Sequence, residues 1–400
     1  MALEVSAEPN GSGTGLRPPQ IRYQNASAMV AALKPSYPVY CVHERSVKAA
    51  ARRFLDVFPG RVLYAVKCNP HPLILKALYE EGIRHFDTAS LVEVAQVREL
   101  FRDAECYFMH PVKARSAIKT ADEVYAVEHF VVDHMDELYK VLDSAGGEGL
   151  AILVRIATPS AGAAYDLSAK FGARPAEAVE LLQAIRSEGC QAGIAFHVGS
   201  QCLLPRAYRT ALGIVGDVID AAKVDIHYLD VGGGFPSSYL GVEVPPLDEF
   251  IEEIEAGLSE LKLRRDCVLM CEPGRALVAS GMSLVVQVQL RKGDSLFVND
   301  GVYGSLSETV TARLRFPARR IRLTEADTDE ECDFTIYGPT CDNTDQLPAP
   351  IRLPADMREG DWIEIGHVGA YSNALSSRFN GFYPDNWVQV EDEAMEIESA

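Results

Sequence analysis

From residue 62 onward, the pattern of hydrophobic and polar positions alternates between two forms. Short apolar runs are followed by longer stretches in which apolar residues recur at helical spacing, as Phe250, Ile251 and Ile254 do. The apolar runs predict eight strands: Val62–Val66, Arg84–Asp87, Cys106–Met109, His129–Val132, Leu150–Ile156, Ala192–His197, Ile226–Val231 and Cys267–Glu272. The stretches between them predict seven helices: Pro72–Glu81, Leu91–Phe101, Arg115–Ala126, Asp136–Ala145, Pro175–Glu188, Arg206–Ala222 and Leu247–Lys262.

This alternation of strands and helices predicts an α/β fold with a parallel sheet. Eight units in regular order favour a closed (β/α)8 TIM-type barrel, although an open doubly wound sheet stays an alternative because strands can be miscounted from one sequence. A barrel would place its chemistry at the carboxyl ends of the strands.

The pattern changes beyond residue 276. Runs such as SLVVQVQL, SLFVND, DFTIYG and DWIEIGHVG are apolar, lack helical spacing and are separated by turn residues, which predicts a separate β domain. The Gly-, Ser- and Pro-rich start of the chain is typical of a flexible leader, EADTDEEC of an exposed acidic excursion and EDEAMEIESA of a frayed tail.

Charge and composition exclude several classes of partner. A net charge of -19 argues against binding to nucleic acid or an anionic membrane surface. No run has the length and apolarity of a membrane span, and the N-terminus lacks the pattern of a secretory signal. The nine cysteines include no CxxC pair, so we expect no metal site, reduced thiols and a cytoplasmic location.

Six of the eight predicted strands end in residues that can bind ligands or catalyse reactions. These strand-end residues are Lys67, Asp87, Arg155, His197, the triplet Gly232, Gly233 and Gly234, and the pair Glu272 and Arg275. Each has an ordinary structural explanation alone, but their common position predicts one site.

Lys67 and Glu272 suggest the chemistry of that site. A lone lysine at this position would extend its ammonium group from the barrel rim into water. A desolvated lysine, however, forms a Schiff base with an aldehyde. Glu272 would keep the pyridine nitrogen of pyridoxal 5'-phosphate protonated, or would otherwise form an ion pair with Arg275.

The glycine triplet follows the seventh strand, where barrel enzymes often bind phosphate. Glycines allow close approach of an anion to backbone N–H groups, although a simple turn also uses them. Arg275 and Ser200 would add contacts to the phosphate. His197 would stack on the cofactor or be an ordinary core histidine, and Asp87 and Arg155 would serve the site or form rim ion pairs.

The motifs resemble the fold-III pyridoxal-phosphate decarboxylases, in particular the ornithine/lysine/arginine decarboxylase family. The matching strings, in family order from about residue 40 to 385, are YAVKCNP, FDTAS, LSAKFG, FHVGSQ, DVGGGFP, CEPGR, NDGVYGS, YGPTCDNTD, GAY and FNGF. The resemblance implies three segments: a leader and an N-terminal strand that joins the β domain (1–44), a cofactor-binding barrel (45–275) and a C-terminal β domain with an acidic tail (276–400).

The resemblance also implies residue roles. Lys67 would hold the cofactor, Glu272 its ring nitrogen and His197 its ring face, with Asp87 and Arg155 in the surrounding network. The phosphate would be bound by Ser200, Gly234, Arg275 and Tyr371, and Gly232, Gly233 and Gly274 would also belong to the cofactor-binding site. Cys341 would donate a proton to the product carbon, or else be an inert thiol. Asp342 and Tyr303 would bind the substrate, with Cys341 and Asp342 supplied by the other subunit of a homodimer.

One departure concerns the substrate, an amino acid. Relatives that act on ornithine or lysine carry an acid a few residues after NDGVYGS, where this chain has Ala312 and Arg313, with Glu308 as the nearest acid. The expected activity is decarboxylation of L-ornithine or L-lysine for polyamine synthesis, and a modified or non-basic amino acid is the alternative. A racemase would place arginine rather than Glu272 at the ring nitrogen, diaminopimelate decarboxylase fits FNGF and TCDNTD less well, and an inactive regulatory homologue would have lost Lys67, the phosphate ligands or Cys341.

Overall fold

The structure is a computed structural model that describes residues 22–146, 149–159, 170–324 and 330–397. Most of the expected leader and part of the EADTDEEC stretch lie outside these residues. The strands, numbered along the chain, are β1 Arg22–Tyr23, β2 Val39–His43, β3 Arg61–Ala65, β4 His85–Thr88, β5 Glu105–Phe108, β6 His129–Val132, β7 Ala151–Arg155, β8 Gln191–Ala195, β9 Tyr228–Asp230, β10 Val268–Cys271, β11 Met282–Lys292, β12 Ser295–Val298, β13 Ala318–Ile321, β14 Glu331–Tyr337, β15 Ile351–Pro354, β16 Trp362–Ile365 and β17 Asn386–Val390.

The helices are numbered in the same way. They are α1 Ala26–Leu33, α2 Glu44–Val57, α3 Pro72–Glu80, α4 Leu91–Leu100, α5 Arg115–Tyr125, α6 Met135–Ser144, α7 Pro175–Ser187, α8 Arg206–Ala222, α9 Leu247–Ser259, α10 Arg275–Val278 and α11 Glu308–Thr311. Short 3-10 turns lie at Val66–Cys68, Ala279–Gly281 and Phe379–Gly381.

The chain divides into two compact units. The barrel unit contains Ala50–Ser237 and Glu243–Leu277, and the β unit contains the described residues up to Ala49, Ser238–Val242 and the described residues from Val278 onward.

The barrel unit contains the predicted closed sheet. β3 to β10 pair in sequence with parallel registers, and β10 closes the ring on β3 through Met270 opposite Arg61. The (β/α)8 fold class is therefore confirmed, and the open-sheet alternative is wrong. Each predicted strand is present with its ends shifted by no more than two residues, because apolar runs mark buried parallel strands well.

Apolar side chains fill the barrel interior and apolar helix faces cover its outside. Leu63, Val131, Leu153 and Met270 form part of one buried cluster inside the ring. Helices begin at local signals: Ser90 accepts a hydrogen bond from the Glu93 N–H to begin α4, for example. The interior of the barrel is therefore a packed core, and a substrate can reach side chains only at its two ends.

The β unit is a sheet whose strands follow the order β1-β17-β2-β11-β12-β14-β15, with β16 pairing to β11 and β13. The first half of β11 pairs with β2 and β16, and its second half pairs with β12, with a register shift in that pairing between Val288 and Leu290. Val39, Val285 and Trp362 belong to its buried core. The strand pattern did not predict α1 and α2, which precede the first barrel strand.

Candidate active site

Lys67 lies in the 3-10 turn immediately after β3. Its Nζ atom is 2.6 Å from Oδ2 of Asp87, which is buried in β4. The parallel register opposes Ala65 to Asp87, so the end of one strand brings the lysine to the carboxylate of the next. The side chain of Lys67 is 41% exposed, whereas that of Asp87 is 1% exposed. The lysine is thus held by a buried anion and remains accessible.

Two further carboxyl groups, at the ends of the last two barrel strands, interact electrostatically with this pair. Asp230 ends β9 and Glu272 follows β10, and their side chains are hydrogen-bonded to each other. Burial, Asp230 and Asp87 raise the pKa of Glu272 well above its usual value, while Lys67 lowers it. Burial also raises the pKa of Asp230, which accepts the Gly232 N–H at 2.7 Å. Three carboxyl groups therefore surround one lysine.

His197 follows β8 as a neutral imidazole. Its Nδ1 accepts a hydrogen bond from the Gly199 N–H at 3.0 Å, so the ring proton belongs on Nε2. Burial, together with the positive charges of Arg155 and Lys67, holds the pKa of His197 well below its usual value. Arg155 ends β7, and its guanidinium lies 5.6 Å from the centre of the Phe171 ring. A neutral ring of this kind suits stacking rather than charge pairing.

The glycine triplet is required by its surroundings. Gly232 and Gly234 have φ of 71° and 107°, and added Cβ atoms would lie 2.0 Å from Phe196 O and 2.5 Å from Gly199 O. A Cβ on Gly233 would lie 2.5 Å from Glu272 O, and Tyr208 OH donates to Gly233 O at 2.9 Å. Within the described residues, no acceptor takes the N–H of Gly233 or Gly234. Two adjacent free N–H groups suit an anion.

Three other predicted cofactor-binding residues belong to the same end of the barrel. Half-buried Ser200 lies in the segment that the Cys202 N–H ties to Gly234 O at 2.9 Å. A Cβ on Gly274 would lie 3.0 Å from the Cβ of Cys68, so glycine lets the end of β10 pack on the lysine turn. Arg275 is buried at the start of α10.

Four predicted site residues belong to the β unit: Tyr303, Cys341, Asp342 and Tyr371. Oδ2 of Asp342 accepts Tyr303 OH at 2.8 Å, and Oδ1 accepts both the N–H and the hydroxyl of Thr344 at 2.8 Å. These bonds lower the pKa of Asp342. Cys341 is exposed, and Tyr371 adopts a left-handed φ of 62°.

The segment that departs from the family pattern is also in the β unit. Glu308 is buried at the start of α11, Ala312 is half-buried and Arg313 is exposed with a φ of 55°. Leu314 N–H returns to Glu308 O at 3.2 Å, so the left-handed Arg313 ends the helix as glycine commonly does.

The sequence interpretation missed two residues of these clusters. Asp230 is the last residue of its strand and Asp87 the last but one of its own, so the position of Asp230 directly before the glycine triplet was the signal that could have identified it. Asn380 accepts hydrogen bonds from both the N–H and the thiol of Cys341, each at 3.2 Å. In the sequence, the only feature that pointed to Asn380 was its place in the FNGF string that matches the family.

The lysine, the carboxyl cluster and the free N–H groups at the carboxyl end of a (β/α)8 barrel define the site of an enzyme that uses a carbonyl cofactor bearing an anionic group. The site fits pyridoxal phosphate: the carboxyl cluster has a place for a protonated ring nitrogen, and the glycine loop has donors for a phosphate.

The family described as pyridoxal-dependent decarboxylase, pyridoxal binding domain, matches residues 44–279. The lysine/ornithine decarboxylase of Selenomonas ruminantium is 33% identical over 345 residues, which cover 83% of this chain and 84% of that protein. Antizyme inhibitor 2 of Xenopus laevis is 32% identical over 361 residues, covering 82% and 76%. The arginine decarboxylase of Paramecium bursaria Chlorella virus, bound to agmatine, superimposes with a TM-score of 0.81 at 26% identity, covering 90% and 98%. The chain belongs to the pyridoxal-dependent decarboxylases: it is a carboxy-lyase whose cofactor is pyridoxal phosphate.

Proposed function

We propose that this decarboxylase acts on a basic L-amino acid, with L-ornithine or L-lysine first, and releases the diamine and carbon dioxide for polyamine synthesis. The observation that carries the proposal is Asp342. Three hydrogen bonds hold its carboxylate ionised, which is the state that binds an ammonium group at the far end of a basic side chain. Two of the relatives named above, the lysine/ornithine decarboxylase and the arginine decarboxylase, act by their names on basic amino acids.

We propose a role for each predicted cofactor-binding residue. The chemistry supplied by bound pyridoxal phosphate is an electron sink for the carbon that loses carbon dioxide. Lys67 holds the cofactor covalently and later releases the product, Glu272 keeps the ring nitrogen protonated, and neutral His197 covers the ring face. Asp87 and Arg155 set the charge around Lys67 and His197. The phosphate ligands are Ser200, Gly232, Gly233, Gly234, Gly274, Arg275 and, from the β unit, Tyr371.

We assign the proton donor and the substrate ligands to the β unit. Cys341 gives its proton to the product carbon, and Asp342 and Tyr303 hold the distal amine. We also propose a homodimer in which each subunit supplies Cys341 and Asp342 to the other. The exposure of the Cys341 thiol within a single chain is consistent with such sharing. Nine free cysteines favour a reducing compartment, the cytoplasm, and no helix in the described part of the chain is long and apolar enough to cross a membrane.

A substrate panel tests this proposal. Carbon dioxide release is measured with ornithine, lysine, arginine, diaminopimelate and several neutral amino acids. We expect ornithine or lysine to give the highest kcat/KM and Asp342→Asn to lower that value by about 10- to 100-fold, the weight of a charged hydrogen bond. Turnover of neutral amino acids alone would contradict the basic-substrate assignment.

The segment after NDGVYGS supports a second candidate, a modified or non-basic amino acid. Ala312 presents no charge where relatives acting on ornithine or lysine carry an acid. Under the first proposal, Ala312→Asp would raise kcat/KM for the diamino acid by about 10-fold, because a second carboxylate would join Asp342. No gain for any diamino acid, with retained turnover of a neutral one, would favour the second candidate. Ala312→Asn, which is equally large but uncharged, is the control.

An inactive regulatory protein is the remaining alternative, because antizyme inhibitor 2 is among the relatives. Lys67, the phosphate ligands and Cys341 are all present, which supports an active enzyme. Purified protein reconstituted with pyridoxal phosphate should show the visible absorbance of a lysine-bound cofactor. A colourless protein that cannot be reconstituted would favour the inactive alternative.

A further inference from the structure

The Cys341 thiol is held by a residue 39 positions further along the chain. Oδ1 of Asn380 lies 3.2 Å from the backbone N of Cys341 and 3.2 Å from its Sγ. Since a backbone N–H can only donate, the atom facing it is the amide oxygen, which fixes the orientation of the Asn380 side chain. That oxygen can only accept, so the Cys341 sulfur faces it as an S–H donor.

The turn that carries Asn380 is itself fixed to the β unit. Asn380 has a left-handed φ of 53° inside the Phe379–Gly381 turn. Just before it, Ser377 donates to Tyr303 O through its N–H and its hydroxyl, both at 2.9 Å, and the Phe379 ring lies 4.9 Å from the Tyr303 ring. Since Tyr303 OH also holds Asp342, one assembly fixes both members of the Cys341–Asp342 pair.

We propose that Asn380 is the positioning residue for the Cys341 thiol: its amide oxygen accepts the hydrogen bond of the S–H group and fixes the direction of the S–H bond. The inference rests on the proposed function, in which Cys341 is the proton donor. In that step the S–H bond breaks, a C–H bond forms on the product carbon, and the resulting thiolate takes its next proton from solvent. A side chain on an exposed loop needs such a restraint, because a misdirected donor loses most of its effect.

The first experiment measures the thiol directly and needs no turnover. Full-length protein is alkylated with iodoacetamide over a range of pH, and modification of Cys341 is followed by peptide mass spectrometry, with Cys332 as an internal reference. Asn380→Asp keeps an oxygen beside the sulfur but adds a charge. We expect the pH midpoint of Cys341 alkylation in this variant to rise by about 0.7 unit, which lowers the rate at a given pH by ~5-fold. The reason is repulsion between the thiolate and a like charge about 4 Å away in water.

Two further variants separate positioning from bracing of the turn. Asn380→Ala should speed alkylation of Cys341, because no acceptor restrains the thiol. Asn343→Ala, at an exposed asparagine two residues from Cys341, should behave as wild type. An unchanged midpoint in Asn380→Asp together with an unchanged rate in Asn380→Ala would overturn the proposal.

A double-mutant cycle links the contact to the reaction. Asn380→Ala should lower kcat by about 10-fold with little change in KM, and should add nothing to a Cys341→Ala variant, because both changes remove the same step. Equal losses in both backgrounds would show that Asn380 acts without Cys341 and would overturn the proposal. If the alkylation results hold but Cys341→Ala leaves kcat unchanged, the contact is real and the assigned role of Cys341 in the proposed function fails.

Discussion

The two ends of the barrel both gather titratable side chains, but they do so differently. At the carboxyl end, Asp87, Asp230 and Glu272 surround Lys67. Burial raises the pKa of both Asp230 and Glu272, and the charge of Asp87 raises both further. At the amino end, side chains from β3 and β5 meet: Arg61 donates to Tyr107 OH at 2.8 Å, and Glu105 accepts from both Tyr107 at 3.1 Å and Arg61 at 3.3 Å.

The difference is one of charge balance. The amino-end cluster joins a cation, an anion and a phenol that satisfy one another, so it needs no ligand. The carboxyl-end cluster holds more acidic groups than its lysine can offset, which costs stability unless a cationic donor joins it. A cluster whose charges are unbalanced without a ligand indicates a binding site, whereas one whose groups satisfy one another indicates a stabilising role. This agrees with the usual arrangement in barrel enzymes, in which catalytic residues lie at the carboxyl end and stabilising residues at the amino end.

The largest expected effect tests the carboxyl end. Under the proposed function, Lys67→Ala should lower kcat by at least about 1,000-fold, because it removes the group that would hold the cofactor covalently and later release the product. Carbon dioxide release measures the loss, and visible absorbance of the reconstituted protein should disappear. The matched change at the other end is Arg61→Ala, which should keep kcat within about 2-fold while lowering stability by about 1–2 kcal/mol. A comparable loss of turnover in both variants would break the distinction between the two ends.

Glu272→Gln should have opposite effects on turnover and on the stability of the cofactor-free protein. We expect kcat to fall by about 100-fold, because the amide cannot hold a proton on the ring nitrogen. The pKa of Glu272 is raised on folding, so the wild-type carboxyl favours the folded state below its unfolded pKa and loses that contribution as pH rises through the folded value. Urea unfolding at pH 8 should therefore show the cofactor-free variant to be more stable than wild type, by ~1 kcal/mol or more.

The comparison between pH values provides the control for that variant. Near pH 4 the stability difference should be small, since the wild-type carboxyl is then protonated in both the folded and the unfolded states. A variant that is less stable than wild type at pH 8 would mean that Glu272 stabilises the barrel as a structural residue, and the carboxyl end would then resemble the amino end.

The positions of Lys67, Asp87, His197 and Glu272 at one end of a barrel could be predicted because each ends an apolar run. The hydrogen bond between Asp230 and Glu272 could not be predicted, since it depends on the register that opposes Asp230 to Met270 in two paired strands. The amino-end cluster could not be predicted for a related reason. Arg61 lies in β3 and Glu105 and Tyr107 lie in β5, and only the pairing of both strands with β4 brings these side chains together.

The last prediction, in which turnover should not change, tests the amino end through His129. Its ring lies 4.3 Å from that of Tyr107 and 4.9 Å from that of Tyr228, its Nε2 is buried without a hydrogen-bond partner among the described residues, and burial lowers its pKa from 6.5 to about 4. The unfolded chain thus binds a proton that the folded protein does not, so stability falls as pH drops from about 6.5 towards 4, by about 2 kcal/mol at pH 5. His129→Phe keeps a ring between the tyrosines but has no group that binds a proton. Between pH 7.5 and pH 5, urea unfolding should therefore show that wild type loses about 2 kcal/mol more stability than the variant.

The exposed control His134→Asn, which keeps an N-terminal cap on α6, should follow wild type. If His129→Phe instead lost turnover at pH 7.5 with an unchanged pH profile of stability, the amino end would have a part in the reaction and the contrast between the two ends would fail.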